Sequence, residues 1–219
     1  MSKSVAVVHT GPVTIEPIKQ RCKEAMPEVR VINIMDDSLL NDCRAAGCLT
    51  KAVTQRMCQY FIIAEAMGVD VIFNACSSVG ETVDVGEQLV SVPIVKIDEA
   101  MAEEAVDLGT KIGVVATVPT TLDPTIRLIE SKAKEQGKKL EITRALCSKA
   151  FDLLLAGKAD EHDREVMEEV KKLSAKVDVV VLAQCSMARL VPLLSDLPVP
   201  VLASPDSGVW RLKEVLDSL

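Results

Sequence analysis

Short runs of aliphatic and β-branched residues recur along the chain, each closed by a polar or glycine-bearing stretch. They are SVAVVH (4–9), VRVINI (29–34), VDVIFN (69–74) and PIVKI (93–97), then KIGVVA (111–116), LEITRA (140–145), VDVVVLA (177–183) and PVLA (200–203). Apolar runs of this length, rich in Val and Ile, predict strands buried on both faces. Helical periodicity fills the gaps. LTKAVTQRMCQYFIIAEAMG ends at Gly68 and DPTIRLIESKAKEQG at Gly137, both carrying the glycine that closes a helix. ADEHDREVMEEVKKLSAKV (159–177) is acidic early and basic late, as the helix dipole favours, and predicts a surface helix with His162 in solvent. Strands alternating with helices predict an α/β protein with parallel sheets and helices on both faces.

The pattern occurs twice. Val7–Pro12 aligns with Val114–Pro119 at an offset of 107, Val69-Asp70-Val71 with Val177-Asp178-Val179 at 108, Cys76 with Cys185 at 109, and Val92-Pro93-Ile94 with Val199-Pro200-Val201 at 107. One apolar strand resembles another cheaply; four blocks in one order, with matched Thr-x-Pro and Cys-Ser turns, do not arise that way. The chain therefore reads as two similar α/β lobes. Residues 1–98 with 204–219 form the lobe that carries Cys76, and residues 99–203 the lobe that carries Cys185.

Composition narrows the class. Of the 219 residues 48% are hydrophobic and only 2% aromatic, so the core is aliphatic and disorder is excluded. A net charge of −7 argues against a nucleic-acid partner, and no run reaches the roughly 18 apolar residues of a membrane span. The opening MSKSVAVVHTGP is too short in apolar residues for a signal peptide, which points to the cytoplasm. Seven cysteines, an odd number, fit thiols in a reducing compartment. Cys43 and Cys48 lack a second pair at zinc spacing, so no metal is expected, and Cys22 and Cys58 read as small buried hydrophobes.

Cys76 and Cys185 each follow the third strand of a lobe. That places them at the carboxyl ends of parallel strands, where open α/β sheets bind ligands. A helix start there would favour the thiolate, and the N–H groups of Ser77, Ser78, Ser186 and Met187 would face an anion. Thr10 in one lobe and Thr117, Thr120 and Thr121 in the other lie in turns opening on the same edges. A phosphatase-type cysteine site is excluded, because the sixth positions after the two cysteines hold Thr82 and Val191 instead of Arg.

NACSS and AQCSM, with KIGVVATVPTT and VPIVKIDEAMAEEA, resemble the aspartate/glutamate/hydantoin racemase superfamily over nearly the whole chain. The resemblance implies two pseudo-symmetric flavodoxin-like lobes with the active site in the cleft between them. It implies proton removal α to a carboxylate or carbonyl without pyridoxal phosphate or metal, hence no cofactor. Cys76 and Cys185 would be the paired acid and base. Ser77, Ser78 and Ser186 would hold a substrate carboxylate, Thr117 and Thr120 match the family's Thr-x-x-Thr turn, and Asn74 and Thr10 complete the lining. His9 breaks the pseudo-symmetry, since it aligns with Ala116, and is a candidate substrate contact.

The expected activity is racemisation of a small carboxylate-bearing substrate, an amino acid such as aspartate or glutamate, or a hydantoin. Two other readings stay open: a decarboxylase or maleate-type cis–trans isomerase on the same fold, and a two-lobed binding or sensing protein without turnover. The partner in each case is a small molecule. Family members are often dimers, so a homodimer is the assembly the resemblance suggests. The polar stretch 35–48 reads as a loop, either a cap over the site or simply solvated.

Overall fold

The structure, a computed structural model, describes residues 3–219. The chain divides into two compact units. One runs up to Ile97 and resumes over Pro205–Leu219; the other is Asp98–Ser204.

The first unit is built on β1 (Ser4–His9), β2 (Arg30–Met35), β3 (Val71–Asn74) and β4 (Ile94–Lys96), all parallel, in the order β2-β1-β3-β4. Its helices are α1 (Ile15–Ala25), α2 (Ser38–Ala46), α3 (Lys51–Ala66) and the short α4 (Thr82–Gly86), and α9 (Ser204–Asp217) joins it from the chain's end. Side chains alternate across the pleat. Ala6, Val8 and Ile72 meet Leu39, Cys43, Val53, Met57 and Phe61 on one face, while Val5, Val7, Val71 and Phe73 point the other way and are equally buried.

The second unit repeats the plan. Strands β5 (Lys111–Ala116), β6 (Glu141–Leu146), β7 (Val179–Leu182) and β8 (Val201–Ala203) are parallel in the order β6-β5-β7-β8. Around them lie α5 (Glu99–Leu108), α6 (Pro119–Glu135), α7 (Ser148–Leu155) and α8 (Ala159–Ser174). Ile112, Val114 and Val181 pack under α5 and α6, and Val115, Val180 and Leu182 under α7 and α8. Helices thus cover both faces, and the two-lobed α/β plan with eight parallel strands is the one the sequence pattern implies.

The duplicated Val-Asp-Val has a structural meaning. Asp70 accepts the Ser4 N–H at 2.6 Å and its hydroxyl at 3.2 Å, tying the start of β3 to the start of β1. Asp178 accepts the N–H groups of Thr110 and Lys111 at 2.9 and 2.8 Å, the same tie between β7 and β5. These backbone bonds, Lys111 foremost, hold the Asp178 carboxyl below the usual carboxylate range. The glycines read as helix stops adopt left-handed geometry, Gly68 with φ 73° and Gly137 with φ 66°.

Four local expectations change. Residues 35–48 are mostly helix: α2 buries Leu39 and Cys43 completely, an apolar pair the many polar neighbours obscure. His162 is fully buried rather than solvated, because it takes the inward face of α8 with Val166 and Val170. Thr120 and Thr121 lie in the first turn of α6, not in a turn ahead of it. Pro119 suits the first helical position as well as Pro124 does, so the helix begins earlier. Cys76 is followed by a 3₁₀ segment, Ser77–Val79, and Cys185 opens one, Cys185–Leu194, in place of a full α-helix directly after each cysteine. Pro192 within the second segment blocks regular α-helical bonding there.

Candidate functional site

In a sheet of order β2-β1-β3-β4 the chain leaves β1 and β3 toward opposite faces, so their carboxyl ends part and open a crevice. In the first unit that point carries His9 and Thr10 after β1, and Asn74 to Ser78 after β3. Val8 pairs with Asn74 across the two strands, and the Ala75 N–H donates to the Val8 carbonyl at 3.0 Å, which fixes the heights of both turns. Cys76 is half-buried, with extended backbone (φ −147°, ψ 117°), and caps the turn in which Val79 N–H donates to its carbonyl at 3.3 Å. Ser77, Ser78 and Thr10 are buried beside it. Cys76 also packs against the core that contains Cys43. Burial pushes the Cys43 thiol up to about 11, and the neighbouring Cys76, Cys48 and Asp42 act in the same direction.

His9 is fully buried. Its Nε2 lies 2.9 Å from Asn33 Oδ1 and its Nδ1 2.8 Å from the Thr14 hydroxyl. Burial lowers its pKa, against the Asn33 hydrogen bond that raises it, so the ring is held neutral. Nε2–H then donates to Asn33, and Nδ1 accepts from the Thr14 hydroxyl, which also lies 3.2 Å from the Gly11 carbonyl. A substrate contact at His9 would have to displace one of these partners. Asn74 is in the opposite situation: it is 1% exposed, yet neither Oδ1 nor Nδ2 meets a hydrogen-bond partner.

The second unit places Thr117 after β5 and Cys185 after β7, also at the switch in strand order. Gln184, immediately before the cysteine, joins the two. Its Oε1 accepts the Thr117 N–H at 2.5 Å, and its Nε2 donates to the Thr117 hydroxyl at 2.9 Å. Cys185 is half-buried, and Thr120 is buried with its hydroxyl unpartnered. The Met187 N–H, expected to face an anion, instead donates to the Gln184 carbonyl at 3.0 Å. The Ser186 carbonyl accepts from the Arg189 guanidinium, whose Nη2 lies 2.5 Å from Asp163 Oδ1.

The structure therefore gathers His9, Thr10, Asn74, Cys76, Ser77 and Ser78 at one sheet edge, and Thr117, Thr120, Cys185 and Ser186 at the equivalent edge of the other unit. Four participants escape a reading of the sequence alone: Asn33, Thr14, Asp163 and the side chain of Gln184. Their partners lie far along the chain, apart from Thr14, and only the strand and helix packing joins them. Chemically these edges supply thiols, hydroxyls and amides. The segments that follow β1, β3, β5 and β7 (10–12, 75–80, 117–121 and 184–187) contain no ionisable side chain apart from the two cysteines. Among the described residues no group of three or more His, Cys, Asp or Glu is placed to hold a metal ion, and no helix is long and apolar enough to cross a membrane.

A sequence profile described as Asp/Glu/hydantoin racemase matches residues 7–212. The chain belongs to that racemase family. Membership makes it an isomerase by class, and the matched residues include both cysteine turns. Solved structures agree on the fold. An allantoin racemase from Klebsiella pneumoniae superposes with a TM-score of 0.73 at 17% identity, covering 99% of this chain and 89% of that one. A Picrophilus torridus aspartate racemase gives 0.74 at 14% identity, covering 98% and 94%. A glutamate racemase from Bacillus anthracis gives 0.75 at 15% identity, covering 99% and 82%. At such identities the likeness establishes architecture, and the three substrates differ. No curated protein sequence matches the chain.

Proposed function

We propose that this racemase-family protein interconverts the enantiomers of a small substrate by two-base proton transfer between Cys76 and Cys185, without pyridoxal phosphate. One thiolate takes the α-proton and becomes a thiol; the other thiol protonates the opposite face of the carbanion and becomes a thiolate. That leaves the pair set for the reverse reaction, in which the two cysteines exchange roles. The observation that carries this reading is the equivalence of the two cysteines: each is half-buried, each follows the third strand of a duplicated unit, and each sits at that unit's change in strand order. Acid–base groups of this kind contribute on the order of 10²–10⁴-fold. Stabilising an enolate needs preorganised donors besides, and the hydroxyls of Ser77, Ser78, Thr120 and Ser186 are the candidates.

The favoured substrate class is a cyclic amide of the hydantoin type. A free amino acid brings an ammonium group, for which the cysteine-bearing turns offer no carboxylate. A hydantoin ring brings amide N–H and C=O groups, and the unpartnered Asn74 amide matches both, donor to acceptor and acceptor to donor. Thr10, Asn74, Ser77, Ser78, Thr117, Thr120 and Ser186 would line the site, with His9 shaping the end of β1. The test is α-proton exchange in D₂O followed by NMR, with allantoin and 5-substituted hydantoins first and aspartate and glutamate beside them. Wild type should exchange one class, and Cys76→Ala and Cys185→Ala should each lose about 10²-fold or more of racemisation. Exchange of aspartate or glutamate alone would refute the cyclic-amide assignment. Exchange of nothing, with turnover of maleate or a malonate, would refute racemisation itself.

A further inference from the structure

The two cysteine turns occupy equivalent places in their units but are held differently. Ser77 and Ser186 are equivalent under the offset of 109, as are Gly80 and Arg189. In the first unit the Gly80 N–H donates to the Ser77 carbonyl at 3.1 Å, and glycine has no side chain to add. In the second, the Arg189 side chain itself reaches back and donates through Nη1 to the Ser186 carbonyl. That guanidinium does not hang free. Its Nη2 lies 2.5 Å from Asp163 Oδ1 and its Nε 3.3 Å from Asp163 Oδ2, a two-point grip on one carboxylate. Asp163 is in turn held by His162, whose fully buried Nδ1 lies 2.7 Å from the same Oδ1. His162 is anchored in α8 beside Val166 and Val170, so the chain of contacts runs from a packed helix to the peptide that follows Cys185. On the other side of Cys185, Gln184 is tied to Thr117.

We propose that Arg189, gripped by Asp163, is a positioning residue that fixes the turn carrying Cys185, giving one half of the thiol pair a charged brace with no side-chain counterpart at Gly80. Arg189 does not touch the reacting atoms in this assignment. It acts through the Ser186 carbonyl, holding Cys185 at the start of the 3₁₀ segment Cys185–Leu194, where the N-terminal N–H groups favour a thiolate. The inference rests on the racemase reading for its catalytic consequence, though not for its effect on Cys185 itself.

The experiment compares wild type with Arg189→Ala, Arg189→Lys and Asp163→Asn. Two quantities are read: steady-state racemisation of whichever substrate wild type accepts, and the rates at which iodoacetamide labels Cys185 and Cys76, resolved by peptide mass spectrometry in one tube. In Arg189→Ala kcat should fall about tenfold to a hundredfold with a smaller rise in KM through Ser186, since misplacing a reacting group costs more than loosening one substrate contact. The Cys185:Cys76 labelling ratio should fall about fivefold or more. Arg189→Lys should recover little, because an ammonium cannot hold both Asp163 oxygens and the Ser186 carbonyl together. Asp163→Asn keeps the guanidinium but removes its anchor; it should move both readouts in the same direction and covers the case in which Arg189→Ala does not fold. A labelling ratio within twofold of wild type in the folded variants would overturn the brace, whatever the activity. If wild type turns over no candidate while the ratio still falls, the brace stands and the racemase reading fails.

Discussion

At the scale of single residues, the candidate site owes its shape to pairs that no local pattern announces. His9 is the clearest case. It sits opposite Met35 in the β1–β2 register, so the residue within reach of its ring on the same face of β2 is Asn33, two positions earlier. Composition gives a strand-end histidine; register makes it a buried, neutral one. The unfolded chain binds a proton at His9 near pH 6.5, whereas the folded chain resists it, with burial the larger cause. Stability contributed by the neutral ring is therefore complete above that pH and is lost as pH falls below it. Urea midpoints at pH 7.5 and 5.5 should drop further for wild type than for His9→Gln. Equal drops would show that His9 is protonated as freely in the fold as outside it. Arg189 and Asp163, 26 residues apart, were hidden for the same reason as Asn33. Cys76 and Cys185 were visible because duplication prints them twice.

At the scale of elements, the strands were legible because burial on both faces leaves continuous Val/Ile runs, and the helix ends because only glycine tolerates a left-handed stop. The segments after the cysteines were not. A 3₁₀ turn and an α-helix share the same first residues, and only later constraints, such as Pro192, separate them. Stretch 35–48 misleads for a related reason: a nine-residue helix that buries Leu39 and Cys43 shows too few apolar positions to declare a period. Packing of α8 on β5 also leaves a trace in sequence. A Cβ added at Gly113 would lie 2.4 Å from Leu173 Cδ2, so the glycine lets the helix approach, whereas its counterpart in the first unit is Ala6. Gly113→Ala should destabilise by about 1–3 kcal/mol through overpacking. Leu173→Ala removes the clashing atoms at the expense of a cavity, so the double variant should be more stable than the sum of the two single effects. Strict additivity in chemical denaturation would mean that α8 shifts freely and that the approach is not close.

At the scale of the whole molecule, the two units share a plan but not every detail, and buried thiols are common to both. Cys22 and Cys43 lie in the first unit and Cys147 in the second; burial pushes each up to about 11 from an ordinary 9.0. None of the three belongs to the proposed acid–base pair, so their effect is on the fold. Between pH 9 and 11 the unfolded chain releases thiol protons that the folded chain retains. Unfolding is then favoured progressively as pH rises, and the stability present below pH 9 is lost through that window. Two routes to alkaline loss can be separated. If general repulsion among the excess acidic groups were responsible, replacing the thiols would leave the slope unchanged, since the net charge of −7 comes from carboxylates outnumbering Lys and Arg. If the buried thiols are responsible, the Cys22→Ala, Cys43→Ala, Cys147→Ala triple variant should start less stable at pH 7.5, from the lost packing, yet lose less between pH 8.5 and 10.5. Urea midpoints measured under reducing conditions at those pH values decide between them. A parallel fall in both proteins would remove the thiols from the account, whereas a flatter curve in the variant would assign the alkaline loss to their burial.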